Sequence, residues 1–216
     1  MDVEEIRKHF YYFGDNVLLG RNVDFNHSHR IYIGNDTYVG TESNICTHKK
    51  FNKNVEWNIK IHDNVFINRH VIIEAFNQIE IGRYVMIGPQ CYFSDNSHEY
   101  ASPNMPVALQ QFMVNNNRIT IKDGAWVGTG VRMLGNVTMG FGSVAAAGSI
   151  VLSNVPDHSV VAGNPAKIIK ILDYKTNEWV SVKSDPELLE EILSKREPFE
   201  GYNYKVIEEV LKEMEH

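Results

Sequence analysis

A period of six residues runs unbroken from Ile121 to Val151. Ile121, Val127, Met133, Met139, Ala145 and Val151 are all apolar, and glycine directly follows two of them, at Gly128 and Gly140. A second set of small or branched residues sits four positions after each: Ala125, Val131, Val137, Ser143, Ser149 and Val155. A helix repeats every ~3.6 residues and a strand every two, so neither produces this spacing. It fits a β-helix in which each six-residue unit is one short strand and one turn. No such unit buries its own apolar side chain. Only stacking onto the next coil removes those side chains from water.

The same ruler extends backwards through Phe13, Leu19 and Phe25, then Ile33, Val39 and Ile45, then Ile61, Ile67 and Ile73, then Ile81, Ile87 and Phe93. All 18 ruler positions are hydrophobic in a chain that is 43% hydrophobic. The breaks carry more information than the matches. Two are slips of two residues, and two are long: 48–58 and 94–118. Each unbroken run holds three units, or six in the last case. Three strands therefore make one coil of triangular section, about six coils make the body, and every insertion leaves from one corner. Glycine follows eight of the 18 ruler positions. There it is expected to take the positive φ of a corner, with Asn and Asp crowding the same turns. A β-sandwich, whose strands alternate with period two, does not produce this pattern.

The formal net charge is −6, with no long basic run, which argues against nucleic acid as the main partner. Two cysteines, Cys46 and Cys91, suit a reducing compartment and give no metal-ligand spacing. The first residues are acidic and lead into no apolar signal segment. The run near 142–151 is too short and polar to span a membrane. The expectation is a cytoplasmic protein.

Three parts are expected: a cap over 1–12, the coil over 13–170, and a mostly helical extension over 171–216. Residues 168–182 mix apolar and polar side chains and are read as holding a short strand. Asp185 is placed to cap a helix with Pro186 at its first position and Leu188, Leu189, Ile192 and Leu193 on one face. Val206, Ile207, Val210, Leu211 and Met214 form a second stripe. These helices are expected to close the open end of the prism or pack on a neighbouring subunit.

Four motifs then add specificity. The run Asp95-Asn96-Ser97-His98-Glu99-Tyr100, followed by Ser102-Pro103, Pro106 and Gln110, resembles a loop of sugar O-acetyltransferases. Ala125–Gly130, Ala147–Val151 and Ala162–Lys167 resemble three further motifs, in order, of the hexapeptide-repeat acyltransferases. The resemblance covers roughly residues 13 to 172. One departure is Asn96, where the family often has His. The resemblance implies a left-handed parallel β-helix, a homotrimer with sites between adjacent subunits, and acyl transfer from acetyl-CoA to a sugar-like acceptor without a metal.

The chemistry follows from the donor. A thioester carbonyl is already activated, so the acceptor mainly needs its proton removed. Imidazole, with an ordinary pKa near ~6.5, suits that role. His98, in the longest loop, is the candidate base, and Asp95 or Glu99 is the candidate partner for its second ring nitrogen. His27, His29, His48, His62, His70 and His158 are read as surface or turn residues. By resemblance Trp126 lies beside the catalytic His across a subunit boundary. By the same resemblance, the small residues Gly128, Thr129, Ala146, Ala147 and Gly148 are expected to leave a track for the pantetheine arm, and Lys167 and Lys170 match basic positions that meet CoA phosphates. A backbone N–H near Gly128 is the candidate oxyanion donor.

Three other functions remain in play. One is an N-acyltransferase for a nucleotide-linked amino sugar, whose better nucleophile depends less on a base. Another is a metal lyase like the β-helical carbonic anhydrases, but their close H-x-x-x-x-H pair is missing, since Pro103 stands five residues after His98. The last is a scaffold without a site, which leaves the His98 loop unexplained.

Overall fold

The computed structural model of the protein describes residues 3–49, 51–110, 112 and 116–214. Three parallel sheets form the sides of a prism. Face A stacks Tyr12–Phe13, Ile31–Ile33, Ile59–Ile61, Gln78–Ile81, Arg118–Ile121 and Val137–Met139. Face B stacks Leu18–Leu19, Tyr38–Val39, Phe66–Ile67, Met86–Ile87, Trp126–Val127, Val144–Ala145 and Ser159–Gly163. Face C stacks Asp24–Asn26, Asn44–Thr47, Ile72–Ala75, Tyr92–Ser94, Arg132–Leu134 and Ile150–Val151. The chain visits A, B and C in turn, so each coil is three strands, as the register breaks require.

Ruler residues point inward. Ile33, Ile61, Ile81 and Ile121 stack in register on face A and are fully buried. Each contributes ~1.5–3 kcal/mol by leaving water. Leu19 and Phe25, in the first coil, are only half-buried because no coil lies beyond them. There α1 (Val3–Arg7) and the turn after it supply a cover, with Ile6 and Phe10 packed on the core. The Phe10 ring meets Phe13 and Phe25 edge-on at 5.0 and 4.9 Å.

The glycines after the ruler residues do not have the expected reason. None of the eight has positive φ. The left-handed conformation falls two residues later, at Asn16, Asn22, Asp36, Glu42, Tyr84, Gln90, Gly130 and Gly142, and at Asn64, His70, Gly124 and Gly148 in four equivalent turns without that glycine. What the eight glycines share is the next coil's backbone. A Cβ on Gly20 would lie 2.4 Å from Thr41 N, and one on Gly34 2.6 Å from Asp63 N. Close approach of stacked turns, not turn conformation, excludes a side chain there.

Both long insertions leave the corner between faces C and A, after Asn44–Thr47 and after Tyr92–Ser94. Past the last coil, Ala166–Asp173 and Glu178–Ser181 extend face B antiparallel. Two strands thus stand where one was expected. Next, α2 (Pro186–Lys195) is capped by Asp185, whose carboxylate accepts from Leu188 N at 2.9 Å. Its Ile192 packs with Ile171 and Val182 in a small second core. Finally α3 (Tyr204–Met214) returns along the corner between faces A and B. Tyr204 stacks on Tyr84 and donates to Asp123. Its Val206, Val210, Leu211 and Met214 are exposed. Among the described residues, no helix is long and apolar enough to cross a membrane.

Candidate active site at the C–A corner

His98 stands where the second insertion leaves the prism. Its backbone pairs antiparallel with Phe112, and its ring packs on the Phe112 ring at 4.4 Å between centroids. The other end of the loop is tied by Gln110. That side chain donates to the Ser102 and Met105 carbonyls and accepts from Ser102 N. The final Gln of the motif is thus a clasp that holds the loop's shape.

A pocket of about 200 Å³ opens against His98, lined by His48, Glu74, Phe76, Tyr92, Ser94, Asn96, Ser97 and Phe112. It joins both insertions to face C. His48, expected to be a surface or turn residue, belongs to this wall: its ring stacks on Phe76 at 5.2 Å and meets Phe112 at 4.4 Å. Glu74 and Tyr92 project outward from neighbouring strands of face C, and the Tyr92 hydroxyl donates to Glu74 Oε2 at 3.1 Å. Burial pushes the Tyr92 phenol up, helped by the Glu74 charge and opposed by a hydrogen bond with Ser94. Sequence reasoning missed His48, Glu74, Tyr92 and Phe112. The ruler held a signal for two of them: Glu74 directly follows Ile73 and Tyr92 directly precedes Phe93, so both face outward.

Neither expected carboxylate reaches the His98 ring among the described residues. Asp95 is fully buried and turned inward, and its oxygens accept from Phe76 N at 2.7 Å and Asn77 N at 2.8 Å. It is a clamp on the preceding coil. Burial pushes its carboxyl up to about 6, against the lowering pull of the backbone N–H groups of Phe76, Asn77 and Gln78. Glu99 accepts from Tyr100 N and Ala101 N at 3.1 and 3.0 Å and serves its own loop. An aromatic ring, rather than a carboxylate, is what packs against the His98 imidazole.

The other expected residues lie elsewhere. Trp126 is on face B, a rung between Met86 and Val144. Outward rungs on this face are Leu18, Tyr38, Phe66, Met86, Trp126, Val144 and Val160, an apolar stripe along the whole prism. Leu18, Phe66, Met86 and Trp126 are 65%, 44%, 52% and 50% exposed, respectively. Thr129 and Ala147 are exposed at the corner between faces B and C, while Gly128 is buried and Ala146 half-buried there. The Gly128 N–H is already given to Ala145 O at 2.8 Å, so it is not free to meet an oxyanion. Lys167 follows on the same corner and lines a cavity of about 370 Å³ with Val151, Val161, Lys183 and Leu189. Lys170 is exposed further along that strand, opposite Val160 and Ser181, and does not line the cavity. Two further histidines are held by neighbouring side chains: His62 bonds Glu80 at 2.8 Å, and His158 bonds Tyr174 at 2.8 Å. Both cysteine thiols are pushed up to about 11 by burial. Among the described residues, no group of three or more His, Cys, Asp or Glu is arranged to hold a metal.

The sheets form a parallel β-helix with a pocket at its insertion corner, and comparison with known structures fits a left-handed coil. No family model matches the chain. The putative lipopolysaccharide biosynthesis O-acetyl transferase WbbJ of Escherichia coli is 32% identical over 112 residues, covering 49% of this chain and 56% of that protein. The chain spans about half or less of the length of the curated relatives it matches first. A crystal structure of a hexapeptide-repeat containing acetyltransferase from Vibrio cholerae superposes with a TM-score of 0.52 at 26% identity, over 80% of this chain and 81% of that one. A variant of AntD, an N-acyltransferase from Bacillus cereus solved with dTDP-4-amino-4,6-dideoxyglucose and coenzyme A, superposes at 0.67 with 19% identity, over 91% and 98% of the two chains. The chain is similar in sequence to curated acetyltransferases and in fold to hexapeptide-repeat acyltransferases.

Proposed function

We propose that the protein transfers an acetyl group from acetyl-CoA to a hydroxyl of a sugar or saccharide precursor, with His98 as general base. The observation that carries this reading is the pocket itself. His98 faces a cavity rich in hydrogen-bonding groups, and among the described residues no carboxylate bonds its ring. In the reaction the acceptor oxygen attacks the thioester carbon while its proton passes to His98. The C–S bond then breaks, and the departing sulfur takes the proton back as CoA thiol. WbbJ, described as an O-acetyl transferase, supports the hydroxyl reading. AntD, an N-acyltransferase solved with an amino sugar nucleotide, keeps the amine reading as the alternative.

The donor is assigned to the corner between faces B and C. Gly128, Thr129, Ala146 and Ala147 form the shallow track for the pantetheine arm, and Lys167 and Lys170 are the proposed phosphate contacts at its end. A homotrimer is the proposed assembly. The apolar stripe on face B supports it, since exposed contiguous apolar surface marks an interaction site. Trp126, on that stripe, would meet the His98 of a neighbouring copy. The working compartment is taken to be the cytoplasm. Residues 13–170 are taken as the transferase body, 1–12 as a cap and 171–216 as an extension.

His98→Ala tests the chemistry. Turnover on the acceptor should fall ~10²- to 10⁴-fold, while calorimetric acetyl-CoA affinity stays the same, because a base need not bind the donor. Near-normal turnover would remove His98 from the mechanism and favour an amine acceptor. Release of CoA thiol over a panel of sugars and amino sugars identifies the substrate.

A further inference from the structure

The acceptor pocket contains one carboxylate and no lysine or arginine among its described lining residues. That carboxylate, Glu74, is not placed by chance. Its strand, Ile72–Ala75, is hydrogen-bonded on both sides, between Asn44–Thr47 and Tyr92–Ser94, so its side chain springs from the stiffest part of face C. The Tyr92 hydroxyl fixes Oε2 at 3.1 Å. Among the described residues Oε1 has no hydrogen-bond partner. The neighbouring Cys46 is a neutral thiol near pH 7, since burial holds it at about 11. Arg132, the rung beyond Tyr92, is exposed and lines no part of this pocket.

We infer that Glu74 selects the acceptor: it binds a neutral, hydroxyl-bearing sugar ring beside His98 and rejects rings that carry a carboxylate or phosphate at that place. This rests on the acetyl-transfer reading of the same pocket. An ionised carboxylate only accepts hydrogen bonds, so the ligand must supply donors, and vicinal sugar hydroxyls do. An anionic ring would meet a like charge with no arginine or lysine to offset it. An ammonium at this spot would be held in its charged form, which lacks the lone pair needed to attack. A hydroxyl has no such penalty. The same pocket offers a matching group. Among the described residues, both side-chain amide atoms of Asn96 are buried without a hydrogen-bond partner. An unpaired buried amide costs stability unless a ligand satisfies it, and the amide supplies both a donor and an acceptor for a second hydroxyl.

The test uses the full-length protein, three acceptors and two substitutions. The acceptors are a neutral methyl hexopyranoside, the matching uronic acid and the matching sugar phosphate. The wild type should favour the neutral ring by tenfold or more. Glu74→Gln keeps the shape but loses the charge, and should cost ~10- to 100-fold on the neutral ring, mainly in KM. Glu74→Lys should narrow or invert the preference towards the uronic acid. Acetyl-CoA affinity by calorimetry should be unchanged in both variants, which also reports that they are folded. A wild type that prefers the uronic acid or phosphate overturns the inference, as does a Gln variant with unchanged KM. A wild type that binds no acetyl-CoA, or transfers to none of the rings or amino sugars, overturns the acetyl-transfer reading itself, whereas a changed ratio among acceptors bears on selectivity alone.

Discussion

At the corner between faces A and B, one coil rests directly on the backbone of the next; at the corner between C and A, side chains stand between them. On the first, Gly14, Gly34, Gly82 and Gly140 bring turns so close that a Cβ would sit 2.3–2.7 Å from the next coil's nitrogen. Asn35, Asp63, Asp123 and Asp157 each accept a hydrogen bond from the backbone N–H of the coil before, all at 2.8 Å. These four turns leave no room for an extra residue, while His62 and Lys122 stand at the equivalent place in the other two coils. On the second corner the spacing is held by longer arms. Arg30 donates to Asn58 at 2.8 Å, Asn58 donates to the Asn77 carbonyl at 2.6 Å, and Asp95 accepts from two amides. Such clamps tolerate chains of different length. The insertions, and with them the pocket, therefore sit where contact between coils is indirect.

Substitution at a contact glycine should have the largest effect on stability. Gly34→Ala must push apart two backbones, with Asp63 N and His62 C both 2.6 Å from the new carbon. Overpacking of this kind costs about 3 kcal/mol or more when backbone has to move. Gly148→Ala is the contrast. It has φ +71° but nothing within 4 Å of its Cβ, so only the left-handed penalty of about 1–2 kcal/mol applies. Lengthening the loop at 53–56 by two residues should cost less than about 1 kcal/mol. Denaturant unfolding of the three variants ranks them. Equal stability of Gly34→Ala and wild type would break the contrast between the corners.

How much of this the sequence revealed depends on the same contrast. Inward side chains obey one rule, burial, so Ile61, Val127 and their partners were legible from spacing alone. The insertion corner was legible too, because only one corner can absorb a register slip. The glycine positions were found, but for the wrong reason: the sequence shows that a side chain is unwelcome, not whether φ or a neighbouring backbone excludes it. At the site, His98 was legible through its motif. Asp95 was read beside it because adjacency in sequence looks like adjacency in space. Tight turning sends Asp95 inward and His98 outward. Glu74, Tyr92 and His48 converge on His98 only through stacking of separate coils, and no local pattern announces that.

The clamp at Asp95 gives a pH-dependent test of the second corner. Its carboxyl is raised in the folded protein from an ordinary 3.8 to about 6, chiefly by burial. A raised acid favours its protonated form in the folded state. Its contribution is therefore fully present below about pH 4 and is lost as pH rises through about 6. A displacement of this size corresponds to on the order of 2–3 kcal/mol. Asp95→Asn cannot titrate. The stability of wild type relative to this variant should fall by roughly that amount between pH 4 and 7, measured by denaturant unfolding at each pH. A difference that stays flat, or rises, would show that the amides of Phe76 and Asn77 outweigh burial.

The third corner, between B and C, limits how far the contrast reaches. It has the contact glycines of the first, with Gly128 lying against Ala147 N at 2.7 Å. Yet the donor track is proposed there. A regular corner has no room for a pocket, but it offers a straight exposed edge, and a long extended ligand needs no more. The phosphates at the end of such a ligand should then feel Lys167, which lines the terminal cavity with Lys183, more than Lys170, which does not. Exposed charge contacts contribute about 0.2–1 kcal/mol, so Lys167→Ala should raise the KM for acetyl-CoA about two- to fivefold. Lys170→Ala should change it less. Because these contacts lie far from the reacting carbonyl, they bind ground and transition states alike, and kcat should hold in both variants. An unchanged KM in the double variant would move the donor off this corner. A larger effect from Lys170 would place the phosphates on the outer strand instead of in the cavity.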